Sequence, residues 1–469
     1  NVIVYFLFLP YMARVLSYED YGTYGQVLLI GSFGIVLFSL GLSRIIYVYL
    51  NREGEEAKVL LSNIAAGAFA GFVAAAILFF TAGFFANWLE NPSLALPLKI
   101  YAIAAMFVIP FSSINAYLIF NDQVRQSVSI TVISNLVKVL LVVFFVQLYS
   151  SINLALAGIA FAFFVQLAMG VFFIRKSLSF TFSRKLFWEQ IVRGMPLGLT
   201  GIVGTGILYI DGIMVSRMEG VEIYALYRNG ALEVPYIATL YASVAAIIMP
   251  EVAKLYAKHQ ISEIVALKRK VIMNTMMLTY PILVFLLFNA QDLIVLYLGQ
   301  KYAASAAVFA VFNLTLLLRV NDYSDIMIAA NKAKYILYYY IFAFLLNITL
   351  NYVLIHQLGM IGAAISTVFT LFVLSYLQVR KSMKILKSDM IKLFNLRQIA
   401  LFFLVALSVA ALLDQVLLRN MDGIIKIILF SLLYFSSVYY FLIKMDFLPK
   451  AFIKRIVPGK IKRMLHKWE

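Results

Sequence analysis

Long apolar runs separated by short polar segments make up almost all of this chain of 469 residues. Fourteen runs approach or exceed the roughly 20 residues that a helix needs to cross the hydrocarbon core of a membrane. They extend over 1–16, 23–50, 58–86, 95–120, 126–148, 152–175, 190–216, 222–250, 269–290, 302–330, 335–356, 360–380, 398–418 and 423–444. The runs are continuous and do not alternate with a period of two, so they predict helices and not the strands of a membrane barrel. The predicted fold class is therefore all-α, a polytopic membrane protein of about 14 transmembrane helices.

The composition agrees with a membrane protein and removes several kinds of chemistry. Hydrophobic residues make up 63% of the chain, charged residues make up 13%, and the mean hydropathy is +0.93. Cysteine is absent, which excludes disulfides, thiol catalysis and cysteine-ligated metals. The three histidines lie far apart, and the sequence has no glycine-rich phosphate-binding motif. We therefore predict a protein that is not an enzyme and has no catalytic residue, metal centre or cofactor.

Basic residues are distributed unequally between alternate loops, which explains the formal net charge of +17. One set of loops, together with the tail after the last run, carries 29 Lys and Arg residues, and the other set carries 5. Positively charged loops remain in the cytoplasm, so both chain ends are predicted to be cytoplasmic. The charge then requires no nucleic-acid partner. Because Asn1 already lies inside an apolar run, we expect further residues before it.

A short motif occurs twice and indicates an internal repeat. Residues 14–24 are RVLSYEDYGTY, and residues 217–227 are RMEGVEIYALY. Each motif follows the first helix of a block of six predicted helices. Arg14 with Glu19 and Arg217 with Glu222 are candidate ion pairs that would latch the two blocks together in an inward-open state.

Two blocks of six helices enter the membrane in the same orientation, because six is an even number. The repeat therefore predicts two lobes related by a pseudo-two-fold axis along the membrane normal, with a central cavity between them. The predicted divisions are a lobe at 1–185, a lobe at 186–392, an extra helix pair at 393–446 and a basic tail at 447–469. The tail is typical of an interfacial segment that binds anionic membrane lipids.

A polar stripe runs along the predicted fifth helix. Thr131, Ser134, Asn135 and Lys138 recur at spacings of three and four, so they share one helix face. A charged side chain near the middle of a span costs roughly 2.5–3.5 kcal/mol, and no Asp or Glu lies inside a predicted span of the first half. The stripe therefore favours a wet cavity in which Lys138 binds an anion. The alternative is a structural pair between Lys138 and a carboxylate of a neighbouring helix.

The predicted tenth helix combines a cation with two acids. Arg319, Asp322 and Asp325 lie along one face, which we expect to point inward because a lipid-facing ion pair is costly. Arg319 is a candidate for substrate binding, and the two acids are candidates for coupling to H⁺ or Na⁺. The alternative is that Arg319 and Asp322, three residues apart, neutralise each other within the helix.

The seventh and eighth predicted helices, 190–216 and 222–250, contribute a third polar group. Asp211 and Arg228 are candidates for an interhelical pair that opens and closes during transport, with Glu233 nearby; plain helix packing is the alternative. Arg44, near the end of the second helix, is a weaker candidate for the cavity.

Helix 7 also contains the glycine-rich segment around Pro196. Gly194 and Gly198 lie four residues apart, a spacing that allows close helix packing. Glycine combined with proline also permits a gating hinge.

Several segments together carry a family resemblance. They are PYMARVL at 10–16 followed by YGTY at 21–24, GMPLG at 194–198, IYALY at 223–227, MPE at 249–251, LNYVL at 350–354 and GMIGAA at 359–364. In these segments the chain resembles the Wzx-type polysaccharide flippases of the multidrug/oligosaccharidyl-lipid/polysaccharide exporter superfamily. The similarity extends over nearly the whole chain and rests on pattern more than on an invariant motif.

The resemblance implies a bacterial inner-membrane flippase for surface polysaccharide synthesis. Its substrate would be a polyprenyl-diphosphate-linked oligosaccharide, moved from the cytoplasmic to the outer leaflet by alternating access, with Lys138 holding the diphosphate. Polysaccharide polymerase machinery is the implied protein partner. By the same resemblance, helices 13 and 14 would line a gap for the lipid tail.

Three alternatives remain open at the level of sequence. A multidrug exporter of the same superfamily would favour an acidic cavity, whereas the first half has no intramembrane acid. A lipid-II flippase would carry an arginine-rich N-terminal signature, which is not apparent. A membrane polysaccharide polymerase or ligase would carry a large outer loop, and all the predicted outer loops are short.

Overall fold

Helices form every regular element in the described part of the chain. The computed structural model describes residues 2–445, except 51–54, 179–180, 233, 235–236, 322, 420 and 422. The helices are α1 Val2–Val15, α2 Tyr18–Phe38, α3 Leu42–Leu50, α4 Glu56–Trp88, α5 Ala95–Ala102, α6 Ala105–Phe120, α7 Val124–Tyr149, α8 Ile152–Ile174, α9 Arg184–Glu219, α10 Val221–Gly230, α11 Ile237–Ala257, α12 Ile261–Phe288, α13 Ala290–Leu298, α14 Ser305–Asn313, α15 Asp325–Ala329, α16 Lys334–Leu358, α17 Met360–Leu386, α18 Leu396–Leu412 and α19 Gly423–Lys444.

Short irregular helices connect some of these elements. Single 3₁₀ turns occupy Pro92–Leu94, Gln300–Tyr302, Leu314–Leu317 and Met390–Leu393. A π-helical stretch, Leu413–Leu417, follows α18 directly. Ser and Asn side chains fix several helix starts: the Ser17, Ser151, Ser183 and Asn395 oxygens accept backbone N–H groups in the first turns of α2, α8, α9 and α18.

Ten of the described helices are long and apolar enough to cross a membrane. The pair Pro92–Ala102 and Ala105–Phe120, bent by 41°, makes eleven if it is one span. The prediction of an all-α, multi-pass membrane protein is therefore confirmed. The count of fourteen stays a prediction, since the predicted spans 1–16, 190–216 and 302–330 are not among the eleven. The last of these is broken in its middle, as described below.

The chain packs into two compact units. The first comprises residues 1–231 and 340–370, and the second comprises 232–339 and the chain from 371 onward. These boundaries differ from those of the predicted six-helix lobes, whose division stays a prediction. In the first unit, buried side chains of α3, α4 and α6 form a core with the start of α9. In the second unit, buried side chains of α12, α18 and α19 form the core, which includes Phe402 and Phe430.

Candidate functional site

A polar cavity of about 350 Å³ lies among α6, α7 and α8 in the first unit. The four residues of the predicted stripe on α7 all line it: Thr131, Ser134, Asn135 and Lys138. Across from them the lining includes Asn115 of α6 and Gln166 of α8. The structure thus brings the sequence-predicted residues to one cavity, because their spacing of three and four places them on one side of an unbroken helix.

Among the described residues that line this cavity, Lys138 is the only charged one. No Asp or Glu of the described residues lies within ion-pair distance of its ammonium group. The ammonium nitrogen lies 5.8 Å from the centroid of the Phe163 ring, which gives a weak cation–π contact. The alternative of a structural Lys138–carboxylate pair therefore has no support in the described part of the chain.

Hydrogen bonds hold the polar stripe in place. The Asn135 side chain donates to the Thr131 carbonyl (2.7 Å), and the Thr131 hydroxyl donates to the Ser127 carbonyl (2.8 Å). The Ser127 hydroxyl donates to Oδ1 of Asn115 at 2.5 Å, which ties α7 to α6. The cavity wall is thus fixed by contacts that do not use the ammonium group of Lys138.

Asp211 of α9 is the centre of a second, fully buried polar cluster in the first unit. Asn351 Nδ2 donates to Asp211 Oδ1 at 2.8 Å. The Tyr227 hydroxyl donates to Oδ2 at 3.3 Å, and the Thr367 hydroxyl donates to the same oxygen. Asn347 Oδ1 accepts from Asn351 at 3.1 Å and extends the cluster along α16. The side-chain oxygen Oδ1 of Asn351 is buried and has no hydrogen-bond partner among the described residues.

The expected pair between Asp211 and Arg228 does not form in this structure. The Arg228 guanidinium carbon lies over the rings of Tyr21 and Tyr24, at 5.3 and 5.5 Å from their centroids. The aromatic faces of α2 therefore stabilise this cation, while hydroxyl and amide donors surround the Asp211 carboxylate. Sequence reasoning missed Asn351 and Thr367, because they lie 140 and 156 residues from Asp211 along the chain.

The two copies of the repeated motif pack directly against each other in the first unit. We call this contact between α2 and α10 the tyrosine seam. The Tyr21 hydroxyl donates to Oδ1 of Asn229 at 2.8 Å. A Cβ atom on Gly22 would lie 2.3 Å from the carbonyl oxygen of Val221, so only glycine fits there. Corresponding turns of the predicted repeat thus meet at the predicted outer face.

In the second motif the expected latch pair is replaced by a different contact. Arg217 forms an ion pair with Glu90, at the end of α4, and not with Glu222. Gln26, just after the first motif, donates to the Ser216 hydroxyl at 2.6 Å, and Asn91 donates to Gln26 at 2.6 Å. The turn after α4 therefore takes part in this outer contact, which the repeat alone could not predict.

Arg319 and Asp325 do not share a helix face, because the predicted tenth helix is broken between them. The chain leaves α14 at Asn313 and makes a 3₁₀ turn to Leu317; the described residues between this turn and α15, at 318–321 and 323–324, are not helical. The Tyr280 hydroxyl donates to the Leu317 carbonyl (3.0 Å), and the Ser382 hydroxyl donates to the Tyr323 carbonyl (3.2 Å). Neighbouring helices of the second unit thus satisfy backbone groups that the break exposes.

Asp325 forms a buried ion pair with Lys268, which the sequence did not predict. Lys268 of α12, which the charge distribution placed in a cytoplasmic loop, lies 2.5 Å from the Asp325 carboxylate. Both side chains are 2% exposed. Arg319, by contrast, lies over the Tyr241 ring at 5.8 Å. Asp322 and Glu233 lie outside the described residues, as does the basic tail.

Gly194 and Gly198 of α9 make close backbone contacts. A Cβ atom on Gly194 would lie 2.6 Å from the Leu40 carbonyl oxygen, and one on Gly198 would lie 2.9 Å from the Gly41 nitrogen. They pack against the break between α2 and α3, where Leu40 and Gly41 adopt positive φ angles of 49° and 66°. The helix continues through Pro196. Arg44, just after this break, is exposed and does not line the Lys138 cavity.

Two protein-family models match the chain. The model of the polysaccharide biosynthesis protein family matches residues 1–256. The model of the lipid II flippase MurJ matches residues 208–431. Together the two matches span most of the chain and agree with the resemblance that the sequence motifs indicated.

Two curated relatives are similar to this chain. A putative O-antigen transporter of Shigella flexneri is 22% identical over 386 residues, which cover 76% of this chain and 88% of that protein. An uncharacterized membrane protein of Methanocaldococcus jannaschii is 28% identical over 205 residues, or 42% of this chain. The second match spans only 40% of that relative's length.

Solved transporter structures share the fold. The lipid II flippase MurJ in an inward closed conformation has a TM-score of 0.72 at 18% identity, with 95% of this chain and 97% of that chain covered. An inward-facing multidrug resistance MATE family transporter of the MOP superfamily has a TM-score of 0.64 at 15% identity, with 82% and 99% covered. The predicted exporter-superfamily fold is therefore confirmed.

Proposed function

Since the chain belongs to the polysaccharide biosynthesis protein family, we propose that it is a flippase for a polyprenyl-diphosphate-linked oligosaccharide. The direction of transport is from the cytoplasmic to the outer leaflet, for synthesis of a surface polysaccharide such as O-antigen, capsule or exopolysaccharide. The observation that carries this proposal is the Lys138 cavity, whose single cation has no carboxylate partner among the described residues.

A buried ammonium group without a counter-charge is unfavourable in a membrane, and an anionic ligand removes that cost. A diphosphate offers several oxygens for charge-assisted hydrogen bonds with Lys138 and for neutral ones with the amides of Asn135 and Gln166. The volume of about 350 Å³ is near the lower end for small-molecule pockets, about 300–1,000 Å³. The cavity therefore suits a charged group of the substrate and not a whole oligosaccharide.

The same cavity weighs against a multidrug exporter. Exporters of cationic drugs need negative charge where the drug binds, and the described lining of this cavity has a lysine and no acid. A cationic ligand beside Lys138 would add like-charge repulsion to the cost of burial. Lipid II, which also carries a diphosphate, remains the second candidate substrate, supported by the family match over 208–431.

We assign the Asp211 cluster to the coupling ion. Its oxygens come from a carboxylate, two amide side chains and the Thr367 hydroxyl, and oxygen ligands are what hard cations prefer. The buried oxygen of Asn351 without a partner adds an unused acceptor. The donor set thus fits Na⁺, which would be held by Asp211, Asn351 and Thr367; a proton on Asp211 is the alternative. Within the described residues, no group of three or more His, Cys, Asp or Glu side chains could hold a metal ion.

We assign the tyrosine seam to the outer gate. Alternating access requires contacts between repeats to break on one side of the membrane at a time. The seam joins equivalent motifs of the two predicted lobes and lies on the face with few basic residues. Both chain ends then lie in the cytoplasm, and the protein lies in the inner membrane. Polysaccharide polymerase machinery would receive the product at the outer leaflet.

The experiment that tests the proposal is transport by the purified protein in proteoliposomes. A fluorescent polyprenyl-diphosphate oligosaccharide is added, and its arrival in the opposite leaflet is followed by loss of access to a membrane-impermeant quencher. We expect transport above that of protein-free liposomes and no inhibition by a lipophilic cationic drug. Drug transport with no movement of diphosphate lipids would overturn the proposal in favour of a multidrug exporter.

A further inference from the structure

A groove of about 530 Å³ runs along the first turns of α9, apart from the sites described above. Its lining side chains are Arg184, Lys185, Trp188, Glu189, Val192 and Arg193. We propose that this groove binds the headgroup of an anionic glycerophospholipid from the cytoplasmic leaflet. The site is independent of the substrate cavity, which lies among α6, α7 and α8.

Unbalanced positive charge is the first support. None of the cations Arg184, Lys185 and Arg193 pairs with a carboxylate among the described residues. The single acid of the groove, Glu189, accepts a hydrogen bond from the Tyr49 hydroxyl at 3.3 Å. A phosphodiester complements this charge, because arginine binds phosphate oxygens in a bidentate manner.

The order of side chains along the helix is the second support. After Arg184 and Lys185 comes Trp188, and tryptophan prefers the level of the lipid headgroups. Val192, Met195 and Leu199 follow at spacings of three and four, and all three are exposed. Two cations, an interfacial ring and an apolar ridge thus follow one another in the order of a phospholipid's phosphate, glycerol and acyl chain, and the third cation, Arg193, lies next to Val192 in the same groove.

The groove is also preorganised. Trp188 contacts Phe187 edge to face at 5.1 Å and Phe69 of α4 at 6.3 Å. On the opposite side of α9, Gln190 is fully buried and accepts a hydrogen bond from Asn63 at 2.5 Å. This part of α9 is therefore held against α4, so ligand binding does not have to order it.

Quenching of Trp188 by brominated lipid tests the proposal. The full chain, with Trp88→Phe and Trp468→Phe so that Trp188 is the only reporter, is reconstituted in phosphatidylcholine nanodiscs with increasing brominated phosphatidylglycerol or brominated phosphatidylcholine. We expect half-maximal quenching at about tenfold less brominated phosphatidylglycerol, a preference that three juxtamembrane cations can supply. The triple variant Arg184→Gln, Lys185→Gln, Arg193→Gln should lose the preference.

Two control variants separate a built site from general charge. The exposed cations Lys258, Arg269 and Lys270 changed to Gln remove the same charge elsewhere, and the preference should persist. Arg184→Lys with Arg193→Lys keeps the charge, and part of the preference should remain. Equal quenching by both lipids, or an unchanged preference in the triple variant, would overturn the proposal. Displacement of phosphatidylglycerol by equimolar polyprenyl diphosphate would also overturn it and assign the groove to the substrate.

Discussion

Gly22 of α2 lies against the backbone carbonyl of Val221, at the start of α10, so closely that a Cβ atom would come within 2.3 Å of the carbonyl oxygen. The partner is backbone and cannot move aside as a flexible side chain can. Gly22→Ala should therefore force α2 and α10 apart and destabilise the closed seam by about 1–3 kcal/mol, as overpacking does elsewhere. Thermal unfolding of the purified variant and its transport rate measure this effect.

Gly83→Ala is the matched control for that substitution. Gly83 also lies inside a long helix, α4, but nothing lies within 4 Å of the position of its Cβ atom. Alanine in place of glycine stabilises a helix interior by about 1 kcal/mol. The free energy of unfolding should therefore fall in Gly22→Ala and rise in Gly83→Ala. A Gly22→Ala protein as stable as Gly83→Ala would contradict the close packing of the seam.

Asp211→Asn should remove the response of the protein to the coupling ion. The substitution keeps the shape of the side chain but deletes the charge that a cation needs. If Na⁺ binds the cluster, replacing choline with Na⁺ should raise the melting temperature of the wild type. At a Na⁺ concentration ten times the dissociation constant, binding adds about 1.4 kcal/mol to the free energy of unfolding. The variant should show no rise. An equal rise in both proteins would place the ion elsewhere, and no rise in the wild type would favour a proton.

The buried pair of Lys268 and Asp325 predicts strongly non-additive mutations. Lys268→Met alone leaves a buried carboxylate without its partner and should destabilise the second unit by about 3–5 kcal/mol. Asp325→Leu alone leaves a buried ammonium group and should cost a similar amount. The double variant removes both charges and should recover most of the loss. Denaturation of the three variants checks this; simple addition of the two single effects would show that the pair is not coupled.

Glu222→Lys should have little effect on transport. The structure pairs Arg217 with Glu90, and both side chains of that pair are largely exposed, at 40% and 72%. Even the pair itself is worth about 1 kcal/mol or less at such exposure. A transport rate within about twofold of wild type is expected. A large loss of transport in Glu222→Lys, with normal transport in Glu90→Lys, would contradict this expectation and support the Arg217–Glu222 latch that the repeated motif first indicated.

The sequence was sufficient for what depends on local periodicity. Runs of apolar residues predicted helices, and the spacing from Thr131 to Lys138 predicted a shared face because α7 is unbroken. The repeated motif identified two segments that prove to be in contact, since Gly22 of the first copy lies against Val221 of the second.

Long-range partners could not be predicted in the same way. Asn351 and Thr367 reach Asp211 only because α16 and α17 pack beside α9. The spacing of residues along the sequence gives no information about that packing. The break after Leu317 contains neither glycine nor proline. The Leu317 and Tyr323 carbonyls accept hydrogen bonds from Tyr280 and Ser382, which lie on other helices. Lys268 was assigned to a cytoplasmic loop because it comes just before the apolar run at 269–290, and its partner Asp325 lies 57 residues away along the chain.

The central claim is that the ammonium group of Lys138 holds the diphosphate of the substrate. Its most direct test is the initial rate of transport of a labelled polyprenyl-diphosphate oligosaccharide by Lys138→Ala in proteoliposomes, compared with wild type and with Lys99→Ala. Lys99 is a suitable control, because it also contacts a phenylalanine ring, at 5.3 Å, but does not line the cavity. We predict a loss of tenfold or more for Lys138→Ala, about the free energy of one charge-assisted hydrogen bond, and none for Lys99→Ala. Equal transport by Lys138→Ala and the wild type would contradict the claim.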